Sequence, residues 1–312
     1  MPTTEPGALK LKKRSFVLVA AVFAAAVLLF SCKSAPEPEA VDPLLLLDRN
    51  AALYMYIPVQ EYLPLMTSAL TQMSGMSEKD AERIASRTEV LYMASENTKG
   101  RQIFQLSAKG NYPLRFVKKA LSKPDSGWTV NFTDATRVPY DYYASAQTGI
   151  QISLPSSQNA IVSWDVAPQI SMYDVAVEEQ SLVMVGAALP SAVPAGFNKD
   201  AYEFLTTGAP NEIRFYECKA DSFLQDMLQT DMKLPLKSVA GTFMNSKKTD
   251  AEYEAKIILE VKDATPAKMK ALVAGLKLAL FPMPAKIQQT SASHITISEI
   301  AIGKDVAQLI FK

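Results

Sequence analysis

The sequence predicts an α+β fold, antiparallel sheets with packed amphipathic helices, and three observations carry that reading. Short β-prone runs alternate in polarity: Ile150, Ile152 and Leu154 are set against Gln151 and Ser153, the pattern of a half-buried antiparallel strand. Other segments space their apolar residues three and four apart, as do Tyr62, Met66, Ala69, Leu70 and Met73, the stripe of a helix packed on one face. The order of elements also recurs along the chain, as expected for two similar α/β halves.

The first 31 residues read as an address. Lys10, Lys12, Lys13 and Arg14 precede an unbroken apolar run from Phe16 to Phe30, followed by Ser31 and Cys32. A basic head, a short apolar body and a small residue before the cut describe an export signal. The 15 apolar residues fall short of the roughly 20 that a spanning helix needs. Leu29-Phe30-Ser31-Cys32 resembles a bacterial lipobox, and its large Phe30 is similar to the looser lipoboxes of spirochaetes. Cys32 is therefore the expected lipidation site, with residues 1–31 as the signal peptide. Residues 32–43, from the acylated cysteine through the Pro-rich, acidic KSAPEPEAVDP, form a flexible tether with nothing to bury.

Structure is expected from Leu44, with one domain or half over 44–190 and a second over 191–312. In the first, Ala52–Ile57 is a strand ended by Pro58, and Glu61–Met73 and Ser77–Arg87 are helices. The second of these opens on Ser77 with an acid, Asp80, three residues on. Strands Val90–Ala94 and Gln102–Ala108 flank the turn-like Asn97-Thr98-Lys99-Gly100. A helix to Leu121 starts at Tyr112 or Pro113, and strands follow at Trp128–Phe132, Tyr140–Ser145, Ile150–Leu154 and Ala160–Trp164. Residues 165–180 have no clear period, and a short helix is expected there. Leu182–Leu189 reads as a strand, and Pro190 to Gly196 as a linker.

The second half begins with a helix over Lys199–Leu205 and a strand over Ile213–Cys218. A helix over Asp221–Met232 and the hairpin Val239–Asn245 with Tyr253–Val261 come next. Pro266 opens a helix that runs to about Phe281, proline being tolerated in a first turn. Strands His294–Ile302 and Val306–Phe311 close the chain. Ile213 answers Leu53 and Pro266 answers Pro113. A duplication and the independent recurrence of a common β-α-β-β-α-β arrangement both account for this.

Several functions are disfavoured. The leader holds four bases and one acid, so the remaining 281 residues carry 28 bases and 31 acids, a net charge of about −3. That leaves no broad basic surface for nucleic acid. The one histidine, His294, alternates with core-facing isoleucines. With Cys32 acylated, Cys218 has no disulfide partner and reads as a small buried group. One histidine and one thiol cannot build a His/Cys metal site. Glycine-rich phosphate loops and the Gly-x-Ser-x-Gly elbow are missing from the sequence. The acidic groups Glu178-Glu179 and Asp250 with Glu252 and Glu254 read as solubilising charge. No catalytic residue, metal or cofactor is expected, and no enzyme is visible.

The remaining signal is apolar surface. In the helix from Pro266, Met269, Leu272, Val273, Leu276 and Leu280 keep i, i+3, i+4, i+7 order, with Lys268, Lys270 and Lys277 elsewhere on the wheel and Leu278 widening the apolar arc. The segment ends at Phe281, before a Pro-Met-Pro turn. A basic amphipathic helix of this kind lies in a lipid interface or packs as an ordinary core helix. Met269, Leu272, Val273, Leu276, Leu280 and Phe281 are the candidate membrane-binding residues. The helices at 61–73 and 221–232 share the pattern, and methionines cluster on or beside them.

The leader with its Phe30-Ser31-Cys32, the lack of catalytic motifs and the amphipathic helices together resemble the treponemal outer membrane-associated lipoproteins. The resemblance implies attachment at the periplasmic face of the outer membrane. It also implies helices that enter lipid and alter permeability or carry lipid, with membrane lipids as the partners. The rival expectation is a rigid lipoprotein adaptor whose sheets and loops bind another envelope protein without lipid insertion.

Overall fold

In the computed structural model, residues 40–74, 77–98, 101–124, 126–134, 136–184, 194–220, 235–281 and 284–304 are described. The leader, Cys32, the expected helix at 221–232 and the expected strand at 306–311 lie outside them. The described residues fall in one compact unit.

Twelve strands make one wholly antiparallel sheet. They are β1 (Leu53–Pro58), β2 (Thr88–Thr98), β3 (Arg101–Gly110), β4 (Trp128–Phe132), β5 (Asp141–Ser145), β6 (Gln151–Ser153), β7 (Asn159–Ser163), β8 (Ile213–Glu217), β9 (Leu236–Asn245), β10 (Glu252–Val261), β11 (Lys286–Gln289) and β12 (His294–Gly303). Their order is β11-β12-β10-β9-β8-β1-β2-β3-β7-β6-β5-β4. The expected segments 44–190 and 191–312 thus supply β1–β7 and β8–β12 to one sheet. They join where β1 pairs with β8, Met55 opposite Phe215 and Tyr56 opposite Arg214.

Six helices are described: α1 (Leu63–Ser74), α2 (Glu78–Ala85), α3 (Leu114–Leu121), α4 (Ala167–Met184), α5 (Lys199–Thr206) and α6 (Pro266–Ala279). Strand alternation sorts them onto two faces. Met55 and Ile57 of β1, with Phe215 of β8, pack against Leu65 and Met66 of α1, Ala85 of α2 and Met269 and Leu276 of α6. Leu91 of β2 belongs to that cluster and to the neighbouring one under α3, so α3 shares this first face. On the second face Tyr54, Tyr56, Tyr92 and Tyr216 pack against Ala201 and Leu205 of α5. Ile161 of β7 packs there against Ile170 and Tyr173 of α4.

One expectation is corrected, and one strand was not expected. Residues 182–184, expected to begin a strand, continue α4, which runs for 18 residues. Its period is hidden because its polar residues are used inside. Gln169 Nε2 donates to the Leu106 carbonyl at 3.3 Å. The Asp174 carboxylate accepts from the Arg137 backbone N–H at 3.0 Å, from its Nε at 3.3 Å and from the Tyr140 hydroxyl at 3.2 Å. That clamp ties the β4–β5 connection to α4. Strand β11 also escaped sequence reading, because Lys-Ile-Gln-Gln carries one apolar residue, and only Ile287 is buried.

Cross-strand packing at the join is tight. Gly241 of β9 lies opposite Phe215, and a Cβ there would stand 2.3 and 2.5 Å from Phe215 ring carbons. Gly241→Val is therefore expected to destabilise the protein by about 1–3 kcal/mol through forced displacement of a core ring. A urea unfolding midpoint equal to wild type would show that the ring moves freely.

Candidate membrane-facing site

Helix α6 is built to start and stop where it does. Thr265 caps it, its hydroxyl accepting from the Lys268 N–H at 3.3 Å, and Pro266 occupies the first turn. Lys277 lies in the last turn, where a cation is favoured by the helix dipole. The helix lies on the first face of the sheet, in the cluster that holds β10, β11 and β12.

The sequence-predicted stripe faces inward in this arrangement. Met269 and Leu276 are buried, and Leu272, Val273 and Leu280 are half-buried against the cluster of Leu259, Ile287, Ile295 and Ile297. Phe281 is 84% exposed, and Leu278, off the stripe, is 80% exposed. Ala267, Ala271 and Ala274 are exposed as well. With Leu278 and Phe281 they recur every three or four residues, a second apolar stripe on the solvent side of the helix. Exposed Lys270 and Lys277 border it on one side, and on the other exposed Lys268 donates to the Asp263 carbonyl at 3.1 Å. The arrangement is a shallow apolar ridge, broadest at the C-terminal end and edged by ammonium groups, a shape that suits the boundary between head groups and acyl chains.

Helix α3 repeats the theme on the same face. Leu114 and Val117 pack inward beside Ala108 and Tyr112, while Phe116 is 76% exposed between exposed Arg115 and Lys119. Lys118 is tied instead to Asp141, 2.7 Å away. The sequence names Phe281 and shows Leu278 widening the apolar arc, but it does not separate these two from the inward stripe, and Phe116 carries no such signal. In α1, by contrast, Tyr62 at its entrance, Leu65, Met66 and Ala69 are buried. The apolar face of 221–232 lies outside the described residues.

Chemistry elsewhere is sparse. His294 Nδ1 lies 2.8 Å from the Ser291 hydroxyl and 3.1 Å from that of Ser293, and the Ser291 hydroxyl also accepts from the Ser293 and His294 backbone N–H groups. Among the described residues no group of three or more His, Cys, Asp or Glu side chains is placed to hold a metal ion. Burial, with Glu217 alongside, pushes the Cys218 thiol up to about 12, so it is unreactive at neutral pH. No helix among the described residues is long and apolar enough to cross a membrane.

The described residues form an α+β protein with one large antiparallel sheet and an exposed, lysine-edged apolar ridge on α6. Residues 38–307 match the model of the outer membrane-associated lipoprotein TP0453, and the chain belongs to that family. Solved structures of treponemal TP0453 share the fold. Crystal form III aligns with a TM-score of 0.61 at 20% identity over 87% of this chain and 98% of that one. Form I gives 0.59 at 21% identity over 88% and 98%. No curated protein matches. Membership makes this an outer membrane-associated lipoprotein of the cell envelope.

Two carboxylates, Glu260 on β10 and Asp174 on α4, set an acid limit. Burial alone would raise Glu260, but bonds from Lys237 and Ser238, both at 2.8 Å, and the charges of Lys237 and His294 hold it below the usual glutamate range. Burial likewise opposes ionisation of Asp174, and the Arg137 and Tyr140 bonds override it, leaving that carboxyl low. Folded values below the unfolded ones mean stability that is present at neutral pH and lost as pH falls through about 4 toward the folded values. Glu260→Gln should lower the urea-derived stability at pH 7 by about 1 kcal/mol and flatten its loss between about pH 5 and 3. An unchanged acid slope would remove Glu260 from this role.

Proposed function

We propose that this protein is held by acyl chains on Cys32 at the periplasmic face of the outer membrane. There it engages lipid through α6, altering permeability or carrying lipid. The observation that carries the reading is the lysine-edged outer ridge of α6, with Leu278 and Phe281 almost fully exposed. An exposed Phe and Leu side by side at the end of an apolar ridge suit an apolar partner, and the family's outer-membrane association makes lipid the partner at hand. The eight steps from Cys32 to Ala40 reach at most about 28 Å, enough to let the body settle against the surface.

Engagement then proceeds in two stages. Burying Leu278 and Phe281 in acyl chains is worth about 3–6 kcal/mol and requires no change in the fold. Bringing Met269, Leu272, Val273, Leu276 and Leu280 into lipid gains a similar amount per residue but removes them from the core under β10–β12. That second stage is near balance and follows only once the first holds the helix at the interface.

Residues 33–312, without acyl chains, are expected to float with vesicles of phosphatidylcholine and phosphatidylglycerol and to release an entrapped dye. Changing Leu278 and Phe281 to Glu should weaken flotation at least about tenfold with the circular dichroism unchanged, since neither side chain is in the core. No flotation at any lipid composition would leave Cys32 as the only membrane contact and favour the adaptor reading.

A further inference from the structure

The two edges of the sheet are guarded unequally. Edge strand β11 has four residues, carries Lys286 and follows Pro284, all devices that discourage strand addition. At the other end β4, Trp-Thr-Val-Asn-Phe, has no charge, no proline and no bulge in its pairing with β5. The Thr133 N–H donates to the Tyr140 carbonyl and the Ala146 N–H to that of Gly127. In an antiparallel ladder this assigns residues 127, 129, 131 and 133 to the bonds with β5. The backbone N–H and C=O of Val130 and Phe132, and the Trp128 C=O, therefore point outward from the sheet, while the Trp128 N–H is taken by the Ser126 hydroxyl. The side chains of Trp128, Val130 and Phe132 stand together on the first face, and Phe132 is 61% exposed.

We propose that β4 is a self-association edge, pairing antiparallel with β4 of a second copy in a register centred on Val130. That register sets Val130 opposite Val130 of the second copy and Trp128 opposite its Phe132, an apolar and aromatic ladder with no like charges facing. It is isologous and closes as a two-fold dimer. Charge at the strand ends favours the same orientation. Exposed Asp134 follows Phe132, while exposed Lys123 precedes Trp128, where the Ser126 hydroxyl bonds the Leu121 carbonyl. Antiparallel pairing brings the Asp134 end of one copy to the Lys123 end of the other, whereas parallel pairing stacks Asp134 on Asp134. The Asp174 clamp on Arg137 steadies the adjoining connection, so the edge is presented without rearrangement.

The test uses the full-length lipoprotein expressed in a bacterial envelope, with cysteine placed at Val130 or at Thr129. In the proposed register two Val130→Cys residues face each other at about 5.5 Å between Cα atoms, within disulfide reach. Two Thr129→Cys residues are staggered, each opposite Asn131, and stay apart. A dimer-sized band on a non-reducing gel with Val130→Cys but not with Thr129→Cys supports the pairing. No band with Val130→Cys, or equal bands with both, overturns it. As a second readout, Val130→Pro removes the outward N–H and leaves the β5 bonds intact. It should weaken self-association of the detergent-solubilised protein about tenfold or more at unchanged circular dichroism. Sedimentation as a monomer by the unaltered chain at every concentration overturns the proposal and turns the edge toward a different envelope protein.

Discussion

The architecture depends on the pairing of β1 with β8. These strands are distant in sequence, yet all of β8 and all but the first residue of β1 are buried. Each serves two cores at once. Met55 and Phe215 enter the cluster under α1 and α6, while Tyr54, Tyr56 and Tyr216 enter the one under α5. Two charged residues sit at the join. Glu217, opposite Leu53, accepts from the Lys219 N–H at 2.8 Å. Arg214 is held by Glu212 at 3.8 Å and lies 4.0 Å over the Tyr56 ring. Without this pair the sheet would divide into two smaller ones, and the helices on the first face would no longer share a surface.

Strand order reads outward from that pair as β1-β2-β3 on one side and β8-β9-β10 on the other. This supports, as a proposal, the reading of the chain as two similar halves related about the central pair. On that reading α3 and α6 correspond. Each shows phenylalanine and lysine to solvent on the same face, while its inward residues fill the core beneath.

Local pattern was a good guide to the elements. Alternation in β6, the Ser77 cap of α2 and Pro266 at the start of α6 all act through neighbours a few residues apart, so a sequence displays them directly. Helix α4 was hard to read because Gln169 and Asp174 are buried polar residues whose hydrogen bonds run to Leu106, Arg137 and Tyr140, far along the chain, which breaks the apolar period. That a single sheet forms, rather than two, was also hidden, since it is decided by one long-range strand pair. The candidate site was legible as a helix and illegible in its direction. A 3.6-residue apolar stripe is the same signal whether core or lipid covers it. Only the packing shows that Met269 and Leu276 face in while Leu278 and Phe281 face out.

The central claim is that α6 meets lipid first through its outer ridge while the sheet stays folded. It is tested most directly by a nitroxide label at position 281, and separately at 278, on the acylated protein in vesicles. Cys218 would be changed to alanine so that the label is unique. The account predicts that on membrane addition both labels become accessible to oxygen and shielded from a water-soluble quencher, while a label on exposed Thr129 of β4 is unchanged. Labels at 278 and 281 that stay as water-exposed with vesicles as without them would contradict it.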